Sequence, residues 1–260
     1  ELMVGRAIVD MYPKEQAPIG KEVFRVENLT CQIANNISFS LRKGEILGLF
    51  GLVGSGCVEA VEGIIGKRAI QSGRIYLDGE EVEIRTPIDS KKHGIAYIPS
   101  DRKAEGLVLI HSVKNNLTIT KIDELGKHGL LKTKKEKAYC ETWIKRMGIK
   151  TASMNTMVNM LSGGNQQKVV IAKWLLTEPE ILIMNDPTRG IDVGAKVEIY
   201  KVMESLCKDG VSIIMVSSEL PETIGISDRM VILSDGKIVG ERKRKDYDQN
   251  EILQMAVKGR

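Results

Sequence analysis

The chain has 260 residues, which is enough for one sizeable domain with a well-buried core. Its residues are 42% hydrophobic and 28% charged, a balance typical of a globular protein and unlike that of a disordered or fibrous chain. Only 4% are aromatic, which argues against a surface that stacks nucleic-acid bases, and the formal net charge of +4 permits an anionic partner without requiring one. The four cysteines are widely spaced, so we predict neither a disulfide framework nor a zinc site.

The first 20 residues contain Pro13, Pro18 and Gly20 and show no clean hydrophobic period. We therefore predict that residues 1–20 form a linker. Because the chain opens at Glu1 and not at a methionine, we also expect it to be part of a longer protein.

Strands and helices follow the linker. Val23–Val26 and Ile37–Leu41 alternate apolar and polar residues, as half-buried strands do. Glu45–Phe50 is a short apolar run that predicts a buried strand, and a glycine-rich loop then leads into a predicted helix at Val58–Ile65. A strand, a glycine loop and a helix in this order begin a parallel α/β unit.

The remaining chain continues this pattern with one interruption. Asp78-Gly79 predicts a hairpin between strands at Arg74–Leu77 and Glu81–Ile84. Residues 107–160 contain no β-rich run, so we predict a helical insertion there. On either side of it, alternating strands and helices predict a parallel sheet. These are strands at Gly94–Ile98, Ile181–Met184 and Val211–Val216, and helices at Val169–Leu176 and Lys196–Cys207. No apolar run is long enough to span a bilayer.

The glycine-rich loop has the spacing G-x-x-x-x-G. Such a loop turns its backbone N–H groups toward a phosphate at a helix N-terminus. A nucleotide-binding loop normally continues with a lysine for the outer phosphates and a hydroxyl for magnesium, whereas Cys57 and Val58 stand here. The loop alone is a weak signal, because a glycine-rich turn before any helix has the same pattern. The candidate phosphate-contacting residues are Gly51, Gly54, Ser55, Gly56, Cys57 and Val58.

A second motif, LSGGNQQK at Leu161–Lys168, predicts the start of a helix with Ser162 as its N-cap. Gly163 and Gly164 would expose bare N–H groups at the positive helix end, where an anion is stabilised. ILIMNDP and TRGID follow at residues 181–187 and 188–192. The three motifs, in this order, resemble the signature motif, the Walker B strand and the D-loop of ABC ATPases. The resemblance covers nearly the whole chain from about residue 23.

Longer stretches resemble one branch of that family. They are DPTRGIDVGAK at Asp186–Lys196, SSELPE at Ser217–Glu222, SDRKAEGLVL at Ser100–Leu109 and MVGR at Met3–Arg6. All four are similar to the C-terminal half of ribose/galactose/arabinose-type importer ATPases, in which two ATPase domains are fused. The resemblance implies an interdomain linker at residues 1–20 and an ATPase domain at 21–260. It also implies an α/β P-loop NTPase (RecA-like) core, with the ABC antiparallel β subdomain and helical insertion subdomain.

The chain departs from the catalytic pattern of this family at several positions. The resemblance implies aspartate where Asn185 stands, glutamate at Asp186, glutamine at Ser100 and histidine at Ser218. No aromatic residue precedes the glycine loop where one would stack on adenine. Phosphoryl transfer depends on positioning and charge, so these departures together predict a degenerate half-site, with Asp186 at the general-base position and no metal ligand.

In ABC ATPases, each ATP lies between the phosphate loop of one domain and the signature motif of the other. The resemblance therefore implies that Ser162, Gly163 and Gly164 clamp the γ-phosphate held by a second ATPase domain, while Asp192 contacts that domain across the interface. ATP and Mg²⁺ are the implied cofactors, mainly at this shared site. The implied partners are the second ATPase domain, a membrane permease docked by the helical insertion and the Ser100 loop, and indirectly a solute-binding protein, with no nucleic acid.

The function that this resemblance implies is ATP-driven import of a monosaccharide or a related small solute. The protein would be cytoplasmic and peripheral at the inner face of the cell membrane. Two alternatives stay open: a non-transport ABC ATPase that acts on ribosomes or DNA, and a regulatory ABC domain that binds no nucleotide.

Overall fold

The smaller of the two main sheets is antiparallel. In the computed structural model, which describes residues 11–14, 18–127, 130–131 and 133–258, its strand order is β2-β1-β4-β5. The strands are Glu22–Cys31 (β1), Ala34–Arg42 (β2), Ser72–Leu77 (β4) and Glu80–Val82 (β5). The last two form the hairpin that Asp78-Gly79 predicts, with Asp78 at φ 46° and Gly79 at φ 87°.

The larger sheet has six strands in the order β12-β11-β3-β10-β9-β6. All neighbours pair in parallel except β11 and β12, which are antiparallel. The strands are Ile46–Phe50 (β3), Ile95–Ile98 (β6), Ile181–Asn185 (β9), Ser212–Ser217 (β10), Arg229–Ser234 (β11) and Lys237–Lys243 (β12). Every residue of β3, β6, β9 and β10 is buried, as expected for parallel strands covered on both faces.

Helices follow most strands of the larger sheet. The bounds are Cys57–Ile64 (α1), Pro87–Lys92 (α2), Val113–Thr118 (α3), Ile122–Leu125 (α4), Thr133–Arg146 (α5), Gly163–Leu175 (α6), Val193–Lys208 (α7), Leu220–Ile226 (α8) and Gln249–Lys258 (α9). A π-helical segment occupies Arg102–Gly106, and single 3₁₀ turns occur at Ile119–Lys121, Val158–Met160 and Arg244–Asp246.

The predicted helical insertion contains α3, α4 and α5, and α3 packs against both α5 and α6. It also contains a hairpin of two-residue strands, Gly126–Lys127 (β7) and Leu130–Leu131 (β8), which the sequence pattern does not reveal because strands this short carry no period. The observed architecture confirms the predicted α/β core with an antiparallel subdomain and a helical subdomain.

Hydrophobic side chains on the two faces of the larger sheet form separate cores. Along β3, Leu47 and Leu49 belong to the core shared with α1 and the antiparallel sheet, whereas Ile46 belongs to the core shared with α6, α7 and the insertion. This alternation follows from the two-residue period of a strand. The sheet is thereby held between two layers, which leaves its strand ends as the place where loops can form a site.

Residues 11–14 of the predicted linker pack on this domain. The Tyr12 and Tyr200 ring centroids are 5.5 Å apart. The side chain of Lys14 is 5% exposed, and its Nζ lies 3.1 Å from Glu204 Oε1 and 2.9 Å from Asp228 Oδ1. Residues 11–14 therefore contribute buried contacts to the fold. Residues 1–10, which include the MVGR stretch at Met3–Arg6, and residues 15–17 lie outside the described residues.

We expect Lys14→Ala to lower the free energy of unfolding by about 3 kcal/mol, because Glu204 is buried and both carboxylates would lose this cation. Urea unfolding measures the loss. The matched control is Lys21→Ala, whose ion pair with Asp78 is 2.8 Å long but lies between side chains 74% and 50% exposed, so its removal should cost less than about 1 kcal/mol. Equal losses in the two variants would show that residues 11–14 add nothing specific to the domain.

Candidate functional site

Most of the sequence-predicted site residues lie at one edge of the larger sheet. Strands β3, β10, β9 and β6 are parallel neighbours, so their carboxyl ends meet at that edge. The glycine loop follows β3 and Ser100 follows β6, while Asn185 ends β9 with Asp186 directly after it, and Ser218 follows β10. In open α/β sheets this is the edge where ligands bind.

Close packing explains two of the loop glycines. A Cβ on Gly51 would lie 2.3 Å from Ser55 Oγ, and one on Gly56 would lie 3.0 Å from Gly236 Cα. Gly56 also has φ 97°, which glycine adopts without strain. At Gly54 nothing lies within 4 Å of the added Cβ, so the loop is open on that side. Because the first N–H groups of α1 have no partner within the helix, the backbone here is suited to an anion.

The two residues after the loop supply neither a cation nor a metal ligand. Cys57 is buried, and Ser55 Oγ donates to its sulfur at 3.3 Å. Burial raises the pKa of the Cys57 thiol to about 12, so the thiol is neutral at physiological pH. Val58 packs against the apolar core that α1 shares with the antiparallel sheet. At these two positions the phosphate loop therefore offers backbone N–H groups without a cation or a metal ligand.

Asn185 is held by a residue that the sequence pattern did not single out. Its side chain is 2% exposed, and Nδ2 donates to the Tyr97 hydroxyl at 3.2 Å. Its Oδ1 is buried and has no hydrogen-bond partner among the described residues. A buried carbonyl oxygen of this kind is normally satisfied by a donor or by water. Tyr97 ends up in this position because β6 and β9 are neighbours, a pairing that a reading of local sequence cannot reveal.

Asp186 and Ser218, two residues that differ from the catalytic pattern of the family, contact each other. Asp186 Oδ1 accepts hydrogen bonds from the Ser218 backbone N–H at 2.8 Å and from the Ser218 hydroxyl at 3.1 Å. Asp186 has φ 44°, an uncommon value for a residue other than glycine, and its own N–H donates to Val216 O at 2.8 Å. The carboxylate is thus engaged with the end of β10.

The side chains at this edge of the sheet do not form a suitable set of ligands for a magnesium ion. Mg²⁺ near phosphates is usually held by one or two carboxylates in near-octahedral geometry. Here Val58 is apolar, Asn185 offers a neutral amide oxygen, and Asp186 Oδ1 already accepts two hydrogen bonds. The part of the chain that the structure describes contains no group of three or more histidine, cysteine, aspartate or glutamate side chains able to hold a metal.

Helix α6 begins at Gly163, as the LSGGN motif predicts, with Ser162 in the extended N-cap conformation. The Ser162 hydroxyl makes no capping bond to the helix. It accepts from Asn165 Nδ2 at 2.9 Å, and Asn165 Oδ1 accepts from the Lys150 N–H at 2.8 Å. The first-turn N–H groups of this 13-residue helix form the positive end of its dipole. Since Ser162 is exposed, this helix end can meet an anion from outside the chain.

The two signature glycines permit close contacts within the chain itself. A Cβ on Gly163 would lie 2.7 Å from Arg102 Nη2, and one on Gly164 would lie 2.5 Å from Ala195 Cβ in α7. A side chain at Gly164 would push α6 away from α7, whereas a side chain at Gly163 would displace the Arg102 guanidinium. Packing alone therefore accounts for Gly164, and Gly163 leaves room for Arg102.

The TRGID segment is fixed at both ends. Asp192 is the N-cap of α7, and its Oδ1 accepts from the Ala195 N–H at 2.9 Å. At the other end, Thr188 Oγ1 donates to Glu222 Oε1 at 2.6 Å. Glu222 is buried and also accepts from the Ser217 hydroxyl, and burial raises the pKa of its carboxyl group. Glu222 lies in the SSELPE stretch, but nothing in the local sequence indicates that it contacts Thr188.

Arg102 is the functional candidate that the sequence interpretation missed. It lies two residues after Ser100, and its guanidinium donates to Arg189 O at 2.7 Å and to Gly190 O at 3.0 Å. Its Nε also donates to Gln166 Oε1 in α6 at 3.4 Å. One side chain thus connects the Ser100 loop, the TRGID segment and the signature helix. SDRKAEGL was a recognisable stretch, yet these partners are more than 60 residues away in sequence.

The chain is similar to several known proteins. A family model described as "ABC transporter" matches residues 34–189. The "Ribose import ATP-binding protein RbsA" of Geobacillus kaustophilus is 47% identical over 260 residues, covering 100% of this chain and 53% of that protein. The "Xylose import ATP-binding protein XylG" of Thermoanaerobacter pseudethanolicus is 44% identical over 268 residues, with the same two coverages.

Solved structures confirm the fold. An ATP-binding cassette of an ABC transporter superposes with a TM-score of 0.79 at 19% identity, covering 91% of this chain and 99% of that one. A dimeric ATP-binding cassette bound to ADP and Pi gives a TM-score of 0.73 at 20% identity, with coverages of 86% and 100%. The chain spans about half the length of the curated relatives it matches. Among the described residues, no helix combines the length and apolar composition that a bilayer-spanning segment needs.

The raised pKa of Cys57 makes stability depend on pH. The folded state keeps this thiol proton up to about pH 12, while the unfolded thiol loses it near 9.0. The contribution of the protonated Cys57 thiol to the free energy of unfolding is fully present below pH 9.0. It is lost as the pH rises toward 12, by up to about 1.4 kcal/mol per pH unit. We expect the free energy of unfolding to fall more steeply between about pH 8.5 and about pH 10.5 in the wild type than in Cys57→Ser or Cys57→Ala. Urea unfolding at the two pH values tests this, and identical slopes in all three proteins would contradict it.

Proposed function

We propose, given that this chain belongs to the ABC transporter family of ATP-binding proteins, that it is one nucleotide-binding half of a bacterial importer ATPase for a monosaccharide or a related small solute. The observation that carries the proposal is an asymmetry within one chain. The signature end of α6 keeps the family pattern except at Asn165, and its N-cap Ser162 is exposed, whereas the phosphate loop and the strand ends beside it lack a cation and a fitting set of magnesium ligands.

The signature end of α6 serves an ATP that a second ATPase half holds on its own phosphate loop. The N–H groups of Gly163 and Gly164 belong to the first turn of α6 and have no partner within the helix, and the exposed Ser162 directly precedes them. Such preorganised donors stabilise the negative charge of a γ-phosphate during its transfer. Asp192, at the start of α7, contacts the second half across the interface. ATP with Mg²⁺ supplies the reacting phosphoryl group at that shared site.

The chain's own half-site plays a different part. Its glycine loop offers N–H groups to a phosphate through Gly54 and the first turn of α1, but Cys57 stays neutral and Val58 stays in the core. Asp186 is engaged by Ser218, so it is poorly placed to polarise an attacking water. This half-site therefore binds nucleotide weakly or holds it without turnover.

The solute and the partners in this proposal are inferred from the names and lengths of the relatives. They are named ribose and xylose import ATP-binding proteins, and each is about twice as long as the matching region. A second ATPase half in the same polypeptide accounts for that length. A membrane permease, docked by the helical insertion and the Ser100 loop, and indirectly a solute-binding protein complete the importer. The assembly places this chain in the cytoplasm at the inner face of the membrane.

We expect Ser162→Arg to lower the steady-state ATPase rate of the complete importer about 100-fold, because an arginine would block the exposed helix end where the γ-phosphate must sit. Cys57→Ala should keep the rate close to that of the wild type, since it removes a neutral sulfur from a half-site that does not turn over. Gly164→Asp is a poor choice of variant, because its Cβ would collide with Ala195 and disturb the fold.

Ser205→Arg is the matched control for this experiment. Ser205 is an exposed serine on α7, away from the first turn of α6, so the same added bulk and charge should leave the rate unchanged. An ATPase rate that falls as far in Cys57→Ala as in Ser162→Arg, with both proteins folded, would contradict the proposal. It would mean that turnover depends on the phosphate loop of this chain as much as on its signature end. A wild-type rate in Ser162→Arg would favour the second alternative, a regulatory domain that takes no part in nucleotide binding.

A further inference from the structure

Arg102 begins the π-helical segment Arg102–Gly106, which directly follows the Ser100 loop. The Asp101 carboxylate fixes the start of this segment by accepting from the Lys103 N–H at 2.9 Å and the Ala104 N–H at 3.0 Å. π-helical turns are rare in proteins, and many of those that do occur lie at functional sites. Here the Arg102 side chain extends from this segment to α6 and to the turn at Arg189 and Gly190.

The segment is also anchored to α6 at its far end. Lys173, a buried lysine on α6, donates to the carbonyl of Gly106. A Cβ on Gly106 would lie 3.1 Å from Val170 Cγ2, so the backbone of the segment lies directly against α6. With Lys173 at one end and Gln166 at the other, the segment cannot shift along α6 without breaking a hydrogen bond.

The guanidinium of Arg102 makes contacts that a different cation could not reproduce. Nη1 donates to Arg189 O at 2.7 Å, and Nη2 donates to Gly190 O at 3.0 Å. Two carbonyls that follow one another match the planar fork of arginine, whereas an ammonium group is a point donor on a flexible stem. Gly190 has φ 66° and lies in a turn, where its carbonyl accepts from Arg102.

The same guanidinium lies against the first turn of α6. A Cβ on Gly163 would be 2.7 Å from Nη2, so the absence of a side chain there is what admits the guanidinium. Arg102 therefore sits between the signature turn and the segment that ends in Asp192. Both of these face the second ATPase half in the proposed function.

We propose that Arg102 is a positioning residue that fixes Arg189 and Gly190 against the first turn of α6, so that Asp192 and the N–H groups of Gly163 and Gly164 meet the partner's ATP as one rigid surface. This inference rests on the proposed function. Arg102 acts through these groups and touches no reacting atom. Preorganised groups held within a fraction of an ångström are what phosphoryl transfer requires.

Arg102→Lys in the complete importer is the test. The lysine keeps the charge but cannot bridge both carbonyls and Gln166, so we expect kcat for ATP hydrolysis to fall about 10- to 100-fold. KM for ATP should stay near the wild-type value, because the partner's phosphate loop, which binds the nucleotide, is untouched. Lys103→Ala is the matched control: it removes the exposed neighbouring cation and should leave kcat unchanged.

A second measurement follows the positioning directly. Hydrogen exchange on the Arg102→Lys chain should quicken at residues 188–195 and 162–166 and stay unchanged in the glycine loop 51–56, which Arg102 does not contact. A wild-type kcat in Arg102→Lys, an equal loss of kcat in Lys103→Ala, or unchanged exchange at residues 188–195 would each overturn the inference. Ser162→Arg in the same assay separates the two claims. If it abolishes turnover while Arg102→Lys is fully active, the proposed function stands and the role of Arg102 falls.

Discussion

The close approach of α6 to its neighbours is the constraint on which the site depends. Gly163 and Gly164 carry no side chains, so the first turn of α6 contacts Arg102 on one side and Ala195 of α7 on the other. This packing brings the positive end of α6 beside the turn that carries Asp192. A motif that is usually explained by the phosphate it would bind is therefore also explained by the contacts it makes inside its own chain.

The edge of the sheet beneath the glycine loop is arranged differently. Asp186 and Ser218 satisfy each other, Cys57 is a buried neutral thiol, and Asn185 is held by Tyr97. Most of the polar groups that replace the catalytic pattern have partners, which is how buried polar groups become compatible with a stable fold. Among the buried atoms of these groups in the described residues, Asn185 Oδ1 has no hydrogen-bond partner. Apart from the Asp186 carboxylate, the side chains named here are neutral.

Local sequence patterns were sufficient for the buried strands, the hairpin and the start of α6, because each depends on residues close together in the chain. They did not reveal the pairing of β11 with β12 or the short helices α2 and α8, although Thr86 and Asp89 form a capping box at α2 and Pro221 opens α8. The contacts of Arg102 and Glu222 could not be predicted, since each joins segments brought together only by the tertiary fold. The candidate residues that the sequence singled out lie together at one sheet edge and one helix end, while the side chains that hold them were missed.

Vanadate trapping of the complete importer tests the central claim most directly. Vanadate with ADP mimics the transition state of phosphoryl transfer, so trapped ADP marks a site that can perform the transfer. If this chain lends its signature end to one shared site and its own half-site does not turn over, ADP should be trapped on the phosphate loop of the second ATPase half and not on the loop of this chain. ADP trapped on the phosphate loop of this chain would contradict the account, because the half-site at Cys57, Asn185 and Ser218 would then be catalytic.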